Sequence, residues 1–378
     1  MAQDPRHSDL IPRPRTVRNH YTDKELEGMI SSAVLRKSLS ANSTIATESS
    51  FATRVRNDMV HPADTQNYQE IGAGLQGIIY EQQGTSVVKK ERLGNQGRPL
   101  VDEFAMHQTV ASAFAKYKKY SGGVRVPEPY NFFPRKSLCP ELLSRLPEND
   151  RTPSDIVTME RILPLPKVVR KAMIRQFYPD EIDGCDEHVI ARVLNERANK
   201  HCLARVYLGT EKVTMTKENF TLRNFPLTLD IIRKLSSNSL FHLRYFATLI
   251  GNAYAIMHWA AHITGDDVEF VLGTSTSTNP NDTVQERDVH MYLLDFGQCD
   301  TVDMNGDQDD IFQAFKGSMV LQQNQIYLPH PKKSTEIYRL WKSAYLSTAK
   351  KIVHEEGLPF DPEEFLSQYE DYLEDFDP

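Results

Sequence analysis

Between Tyr245 and Ile263 the chain carries nineteen consecutive residues without Asp, Glu, Lys or Arg. A run of that length is just long enough to cross a bilayer. It therefore forces a choice between a membrane span and a deeply buried helix. Phe246, Leu249, Ile250, Ala253, Met257 and Ala260 recur at helical spacing, while Asn252 and His258 break the apolar character. The stretch Ser239–His262 is accordingly expected as a core helix. A helix buried on most sides needs a large body around it. With 378 residues, 40% of them apolar and 25% charged, the chain can supply one.

Charge narrows the partners. Lys351 to Pro378 holds ten Asp/Glu and one Lys, or −9, so the remainder of this −7 chain sums to +2. A near-neutral body lacks the basic surface of a nucleic-acid binder. The N-terminus Met-Ala-Gln-Asp-Pro-Arg has no apolar leader. Four cysteines, Cys139, Cys185, Cys202 and Cys299, make no disulfide framework. The expectation is a soluble intracellular protein, cytoplasmic or nuclear, with neither a membrane nor a nucleic-acid partner.

The pattern along the chain suggests four segments. Residues 1–66 contain Pro5, Pro12, Pro14 and a Ser/Thr-rich run from Ser38 to Thr53, with one helix-prone patch at Lys24–Leu39. They are expected as a largely disordered N-terminal extension. Residues 67–162 carry β-prone runs at Ile78–Tyr80 and Ser86–Lys89, a helical pattern from Arg98 to Tyr117, and a strand at Ile156–Met159. Residues 163–355 are mainly helical, with strands expected at Leu203–Tyr207, Phe220–Phe225, Val268–Leu272 and His290–Leu294. A polar stretch at 273–289 is expected as a flexible insertion.

Residues 356–378 begin with Asp361-Pro362-Glu363-Glu364, a helix start. Phe365, Tyr369, Tyr372, Leu373 and Phe376 then form the stripe of an acidic amphipathic helix. The fold class is α+β, with a small antiparallel-sheet lobe, a hinge and a larger helical lobe. A protein partner could use the N-terminal tail or the acidic helix.

Four elements carry chemistry, in order. Gly72-Ala73-Gly74-Leu75-Gln76-Gly77 is glycine-rich and runs into β-branched residues rather than a helix. That suits a strand–turn–strand laid over nucleotide phosphates, not a dinucleotide fold. Lys89, one strand later, could pair with phosphate, held by Glu103 from the next helix. Lys90 must face the other way, because neighbours on a strand alternate. Met159 and Glu160, after a hydrophobic strand, could meet an adenine edge at a hinge. Asp295, in Leu293-Leu294-Asp295-Phe296-Gly297, ends an apolar strand and is suited to holding Mg²⁺ on a nucleotide.

Together these resemble the protein-kinase-like fold, including its aminoglycoside-phosphotransferase-like branch, over Tyr68 to Leu328. Several strings are more closely similar to a fungal family of kinase-like domains of unknown function, often labelled zinc finger proteins. They are Leu203-Ala204-Arg205-Val206-Tyr207-Leu208-Gly209, Phe220-Thr221-Leu222-Arg223-Asn224-Phe225-Pro226-Leu227, Met257-His258-Trp259, Asp266-Asp267-Val268-Glu269-Phe270-Val271-Leu272-Gly273 and Leu294-Asp295-Phe296-Gly297-Gln298-Cys299. The resemblance implies ATP and Mg²⁺ as ligands.

An active kinase has a catalytic Asp followed five residues later by an Mg²⁺-binding Asn. Aligned on Phe270-Val271-Leu272, Thr264 takes the Asp position and Glu269 the Asn position. Threonine is no base at neutral pH, whereas Glu269 can still bind Mg²⁺. The expected function is nucleotide binding with weak or absent catalysis. The alternatives are an active phosphotransferase using Asp266 or Asp267 as base, and an interaction module without nucleotide. Zinc is not expected. Cys185, His188, His201 and Cys202 include the adjacent pair His201-Cys202, whose side chains diverge on most backbones.

Overall fold

The structure is a computed structural model and describes residues 18–48, 53, 67–81, 85–94, 97–179, 186–235, 241–276 and 284–375. Among these residues are twelve α-helices and two β-sheets. The eleven strands are β1 (Asn19–Thr22), β2 (Ser43–Thr47), β3 (Gln69–Ala73), β4 (Gly77–Glu81), β5 (Ser86–Glu91), β6 (Pro129–Phe133), β7 (Ile156–Glu160), β8 (Ala204–Val206), β9 (Phe225–Leu227), β10 (Glu269–Thr276) and β11 (Gln285–Leu294).

The first sheet is antiparallel throughout, in the order β3-β4-β5-β7-β6. Strand alternation sorts the residues of β5. Val88 turns to a small core with Tyr68, Tyr80, Leu146 and Ile156. Lys90 lies on the same side, and its Nζ bonds Ser154 Oγ at 2.6 Å. Val87 and Lys89 face the other way and line a cleft. The helix Leu100–Lys116 buries Met106, Val110, Ala113 and Phe114 in the main core and presents Glu103 to β5.

The second sheet is mixed, in the order β1-β2-β11-β10-β8-β9. Its β10–β11 hairpin pairs Glu269 with Leu294, which brings Glu269 beside the start of the Asp295 segment. Two expectations fail here. The segment 273–289 is not all loop, because Gly273–Thr276 and Gln285–Val289 prolong the hairpin. Thr274 is buried, and its hydroxyl meets the Leu163 and Pro164 carbonyls, so a polar run here is strand; residues 277–283 lie outside the described ones. Nor is Phe220–Phe225 a strand. The Phe220 amide closes a turn onto the Thr216 carbonyl, Asn224 has φ 53°, and only Phe225–Leu227 is extended, parallel to β8.

The N-terminal expectation also needs correction over residues 18–48. β1, two short helices (Asp23–Glu27 and Ser31–Ser38) and β2 pack on the body. A capping box between Thr22 and Glu25 starts the first helix. Leu26, Val34, Leu35 and Ile45 are buried in the main core. β2 pairs antiparallel with Gln285–Asp288. Arg18 donates to the carbonyls of Ser43 (2.8 Å) and Val289 (2.6 Å) and pairs with Asp288 at 3.3 Å.

The uncharged stretch forms the helix Phe241–Trp259, buried along most of its length. Thr335–Glu356 packs along it so closely that a Cβ on Gly251 would sit 2.5 Å from the Trp341 carbonyl oxygen. Trp259 Nε1 donates to Tyr345 Oη across the same interface at 2.8 Å. The acidic helix Pro362–Asp375 buries Phe365, Tyr369 and Leu373. Its Glu370 and Glu363 pair with Lys342 (2.7 Å) and Lys350 (2.5 Å) of Thr335–Glu356. Phe376 lies outside the described residues. No described helix is long and apolar enough to cross a membrane.

Candidate functional site

A cleft of about 310 Å³ runs beneath the glycine-rich turn, between the two sheets. Its roof is the β3–β4 connection, closed by the Gly74 amide on the Gly77 carbonyl at 2.9 Å. Gly77 is a packing requirement. A Cβ there would lie 2.7 Å from the Lys90 carbonyl oxygen and 3.2 Å from the Lys89 side chain. Gly72 would meet Arg223 at 3.5 Å, and a Cβ on Gly74 would meet open space. Leu75 stands exposed at the tip, while Gln76 is buried and donates Nε2–H to the Gly297 carbonyl at 3.0 Å.

Lys89 Nζ bonds both Glu103 carboxylate oxygens, at 2.5 and 2.7 Å. Burial pushes the Glu103 carboxyl up, Lys89 opposes this and Asp295 adds to it. The structure thus brings Lys89, Glu103 and Asp295 into one electrostatic neighbourhood, and Lys89 rather than Lys90 lines the cleft. Met159 lines it from β7. Glu160 is also at the cleft, but Arg125 (2.9 Å) and the Glu128 amide (3.1 Å) occupy its carboxylate.

The opposite wall carries Asp267, Glu269 and Asp295. Burial pushes the Glu269 carboxyl up to about 7; Arg205, bonded to it, opposes, and Asp295 and Asp267 add to the rise. Asp267 is likewise raised by burial first and by Asp295 second. Like charges gathered in a buried place favour a cation among them. Oxygen donors suit Mg²⁺, which takes one or two carboxylates and fills its remaining positions with water and substrate phosphate. Among the described residues, no three His, Cys, Asp or Glu side chains form a closed metal cluster. Asp295, Glu269 and Asp267 line one wall of the cleft with oxygen donors of the kind Mg²⁺ takes, without forming such a cluster.

The residues around the expected base divide. Thr264 does not line this cleft. It is buried, donates Oγ1–H to Asp266 Oδ2 at 2.6 Å and accepts the Asp300 amide at 3.0 Å. Thr264 and Asp266 both face a separate acidic groove with Asp300 and Asp303. Asp267 turns into the cleft through a left-handed backbone, φ 54°. Four described non-glycine residues have positive φ, and three of them, Asn224, Asp267 and Asp295, line this cleft. Such conformations concentrate at functional sites, and Asn and Asp adopt them most readily.

Sequence reasoning passed over Gln76, His107, Arg205 and Arg223. His107 donates to the Pro127 carbonyl at 2.6 Å and packs its ring 5.2 Å from Phe296, so it braces the segment after Asp295. A signal for Gln76 was its place inside the glycine-rich turn. Nothing local marked the roles of the other three: the partners of His107 and Arg205 are distant in sequence, and the Arg223 side chain has none among the described residues.

Residues 291–357 match the model of a domain-of-unknown-function family described as "Zinc finger protein". No curated protein matches the chain. The match takes in Asp295-Phe296-Gly297 and the helix Thr335–Glu356. Its sulfur and imidazole donors are Cys299, His330 and His354, three where a tetrahedral structural zinc site takes four. Of the other Cys/His group, Cys185 lies outside the described residues, His188 is exposed and His201 lines the cleft. Cys202 is fully buried, its thiol pushed up to about 12 by burial.

Proposed function

We propose that the cleft binds a nucleoside triphosphate with Mg²⁺, in the manner of a bilobal protein-kinase-like domain. The observation that carries this is the meeting of Lys89–Glu103 with Asp295 beneath a glycine-rich turn. Lys89 would pair with phosphate oxygens, with Glu103 fixing its position. Backbone amides of the turn would approach the phosphates at Gly74, where a side chain is missing and nothing else fills the space. Mg²⁺, when bound, neutralises phosphate charge beside Asp295 and Glu269.

A second reading is phosphoryl transfer, and the placement of Asp267 favours it. Asp267 lines the cleft, whereas Thr264 and Asp266 face another groove. The missing basicity of Thr264 therefore does not decide whether the cleft has a base. Asp267 would take the proton of an acceptor hydroxyl as its oxygen bonds the γ-phosphorus and the nucleoside diphosphate leaves.

Thermal unfolding with Mg-ATP tests the binding. At a hundredfold excess over its dissociation constant, the ligand should stabilise the protein by about 2.7 kcal/mol. Asp295→Asn should abolish most of that gain. An unshifted wild type, or an equal shift in the variant, overturns the reading. For transfer, Asp267→Asn should keep nucleotide binding and lose turnover, while Asp266→Asn keeps both.

A further inference from the structure

The cations of the cleft are unequally matched. Lys89 is held by Glu103, Arg161 by Glu81 at 2.7 Å, and Arg205 by Glu269. Arg223 also lines the cleft and is half-buried, yet its guanidinium has no acidic or hydrogen-bonding partner among the described residues. Only its backbone amide is engaged, donating to Thr221 Oγ1 at 3.1 Å. The next residue, Asn224, lines the cleft with a left-handed backbone. The guanidinium reaches up to the β3 strand, within 3.5 Å of a Cβ placed on Gly72. A partly desolvated guanidinium without a counter-charge favours a planar anion, which it can grip with two N–H groups.

We propose that Arg223 is the recognition residue for an anionic group, phosphate or carboxylate, of the ligand that fills this cleft. It deepens the nucleotide reading and rests on it for the remainder of the ligand. The Lys89 side of the cleft and the carboxylate wall together account for a metal-bound polyphosphate. Arg223 sits on a different segment, the turn before β9, and supplies a positive charge that neither of them uses. The anion is either part of the nucleotide or part of a second molecule bound beside it.

Calorimetry on the full chain distinguishes these. Mg-ATP, adenosine, and inorganic phosphate with and without Mg-ADP are titrated into wild type, Arg223→Gln and Arg223→Lys. The Arg223 side chain has no hydrogen bond or ion pair among the described residues, so equal melting temperatures without ligand are expected and are checked first. If the anion belongs to the nucleotide, Arg223→Gln weakens Mg-ATP about tenfold or more and leaves adenosine unchanged, with Arg223→Lys intermediate. If it belongs to a second molecule, Mg-ATP is unchanged and phosphate binding is lost instead.

Wild-type binding that Arg223→Gln leaves intact in both arms overturns the proposal. If wild type binds no nucleotide but binds phosphate in an Arg223-dependent way, the nucleotide reading fails and Arg223 recognition stands. A wild type that binds neither overturns both.

Discussion

Gln76 Nε2 donates to the Gly297 carbonyl at 3.0 Å, tying the glycine-rich turn to the residue two places after Asp295. The roof of the cleft is thereby fastened to its carboxylate wall through one amide. A Cβ on Gly297 would fall 2.0 Å from Gln76 Oε1, so Gly297→Ala must expel that amide. Gln76→Ala deletes it outright. Each variant should speed amide hydrogen exchange at Gly74–Gln76 by about two- to tenfold, the worth of one hydrogen bond. The double variant should match either single one. Additive effects would show that no common contact exists.

Lys89→Met leaves Glu103 buried without its counter-ion, which should cost about 3 kcal/mol. The variant should also show a larger pH dependence than the wild type. Burial already holds the folded Glu103 carboxyl above its usual 4.5, and removing Lys89 removes the opposing pull. The folded state then binds a proton that the unfolded state releases, so stability declines as pH rises through the raised value. Urea unfolding at about pH 5 and about pH 8 reads this, with the larger loss at the higher pH. Glu103→Gln in the same background should flatten the difference; an undiminished slope would assign it to another group.

At the contact of Phe241–Trp259 with Thr335–Glu356, Gly251 faces backbone, the Trp341 carbonyl, rather than a yielding side chain. Gly251→Ala must separate the helices. A loss of about 1–3 kcal/mol is expected in chemical denaturation, despite the better helix propensity of alanine. A neutral or stabilising result would mean that the helices do not approach as described.

Two histidines should make the fold acid-sensitive. Burial pulls His107 down to about 4 and His258 to about 3, from 6.5. Both are neutral in the folded protein at pH values where the unfolded chain would be protonated. Stability is therefore lost as pH falls from 6.5 towards these values. His107→Gln keeps a donor for the Pro127 carbonyl but cannot titrate. Its stability should fall less steeply with acid than the wild type's, and parallel profiles would refute a role for His107.

Local patterns in the sequence were good guides wherever an element answers to its own residues. The spacing of Leu100, His107, Val110 and Phe114 marks a helix because all four are buried. Val88 and Lys89 reveal a strand whose sides differ. What the sequence hides is direction and distance. Thr264, aligned with a catalytic position by counting, turns to Asp266 and Asp300, while the left-handed backbone of Asp267 points a different carboxylate into the cleft. No periodicity encodes such a turn. Residues 18–48 looked tail-like because their elements are short and their partner strand is β11.

That last pairing sets an order of events during synthesis. Arg18 and the carbonyl it meets at Val289 are separated by 271 positions. At 5–20 residues per second, the N-terminal strands leave the ribosome roughly 15–55 s before their sheet exists. For that interval β2 lacks its antiparallel partner, Gln285–Asp288. A nascent chain stalled before β11 would therefore hold the β1–β2 pair with the β2 edge open to any chaperone or neighbouring chain.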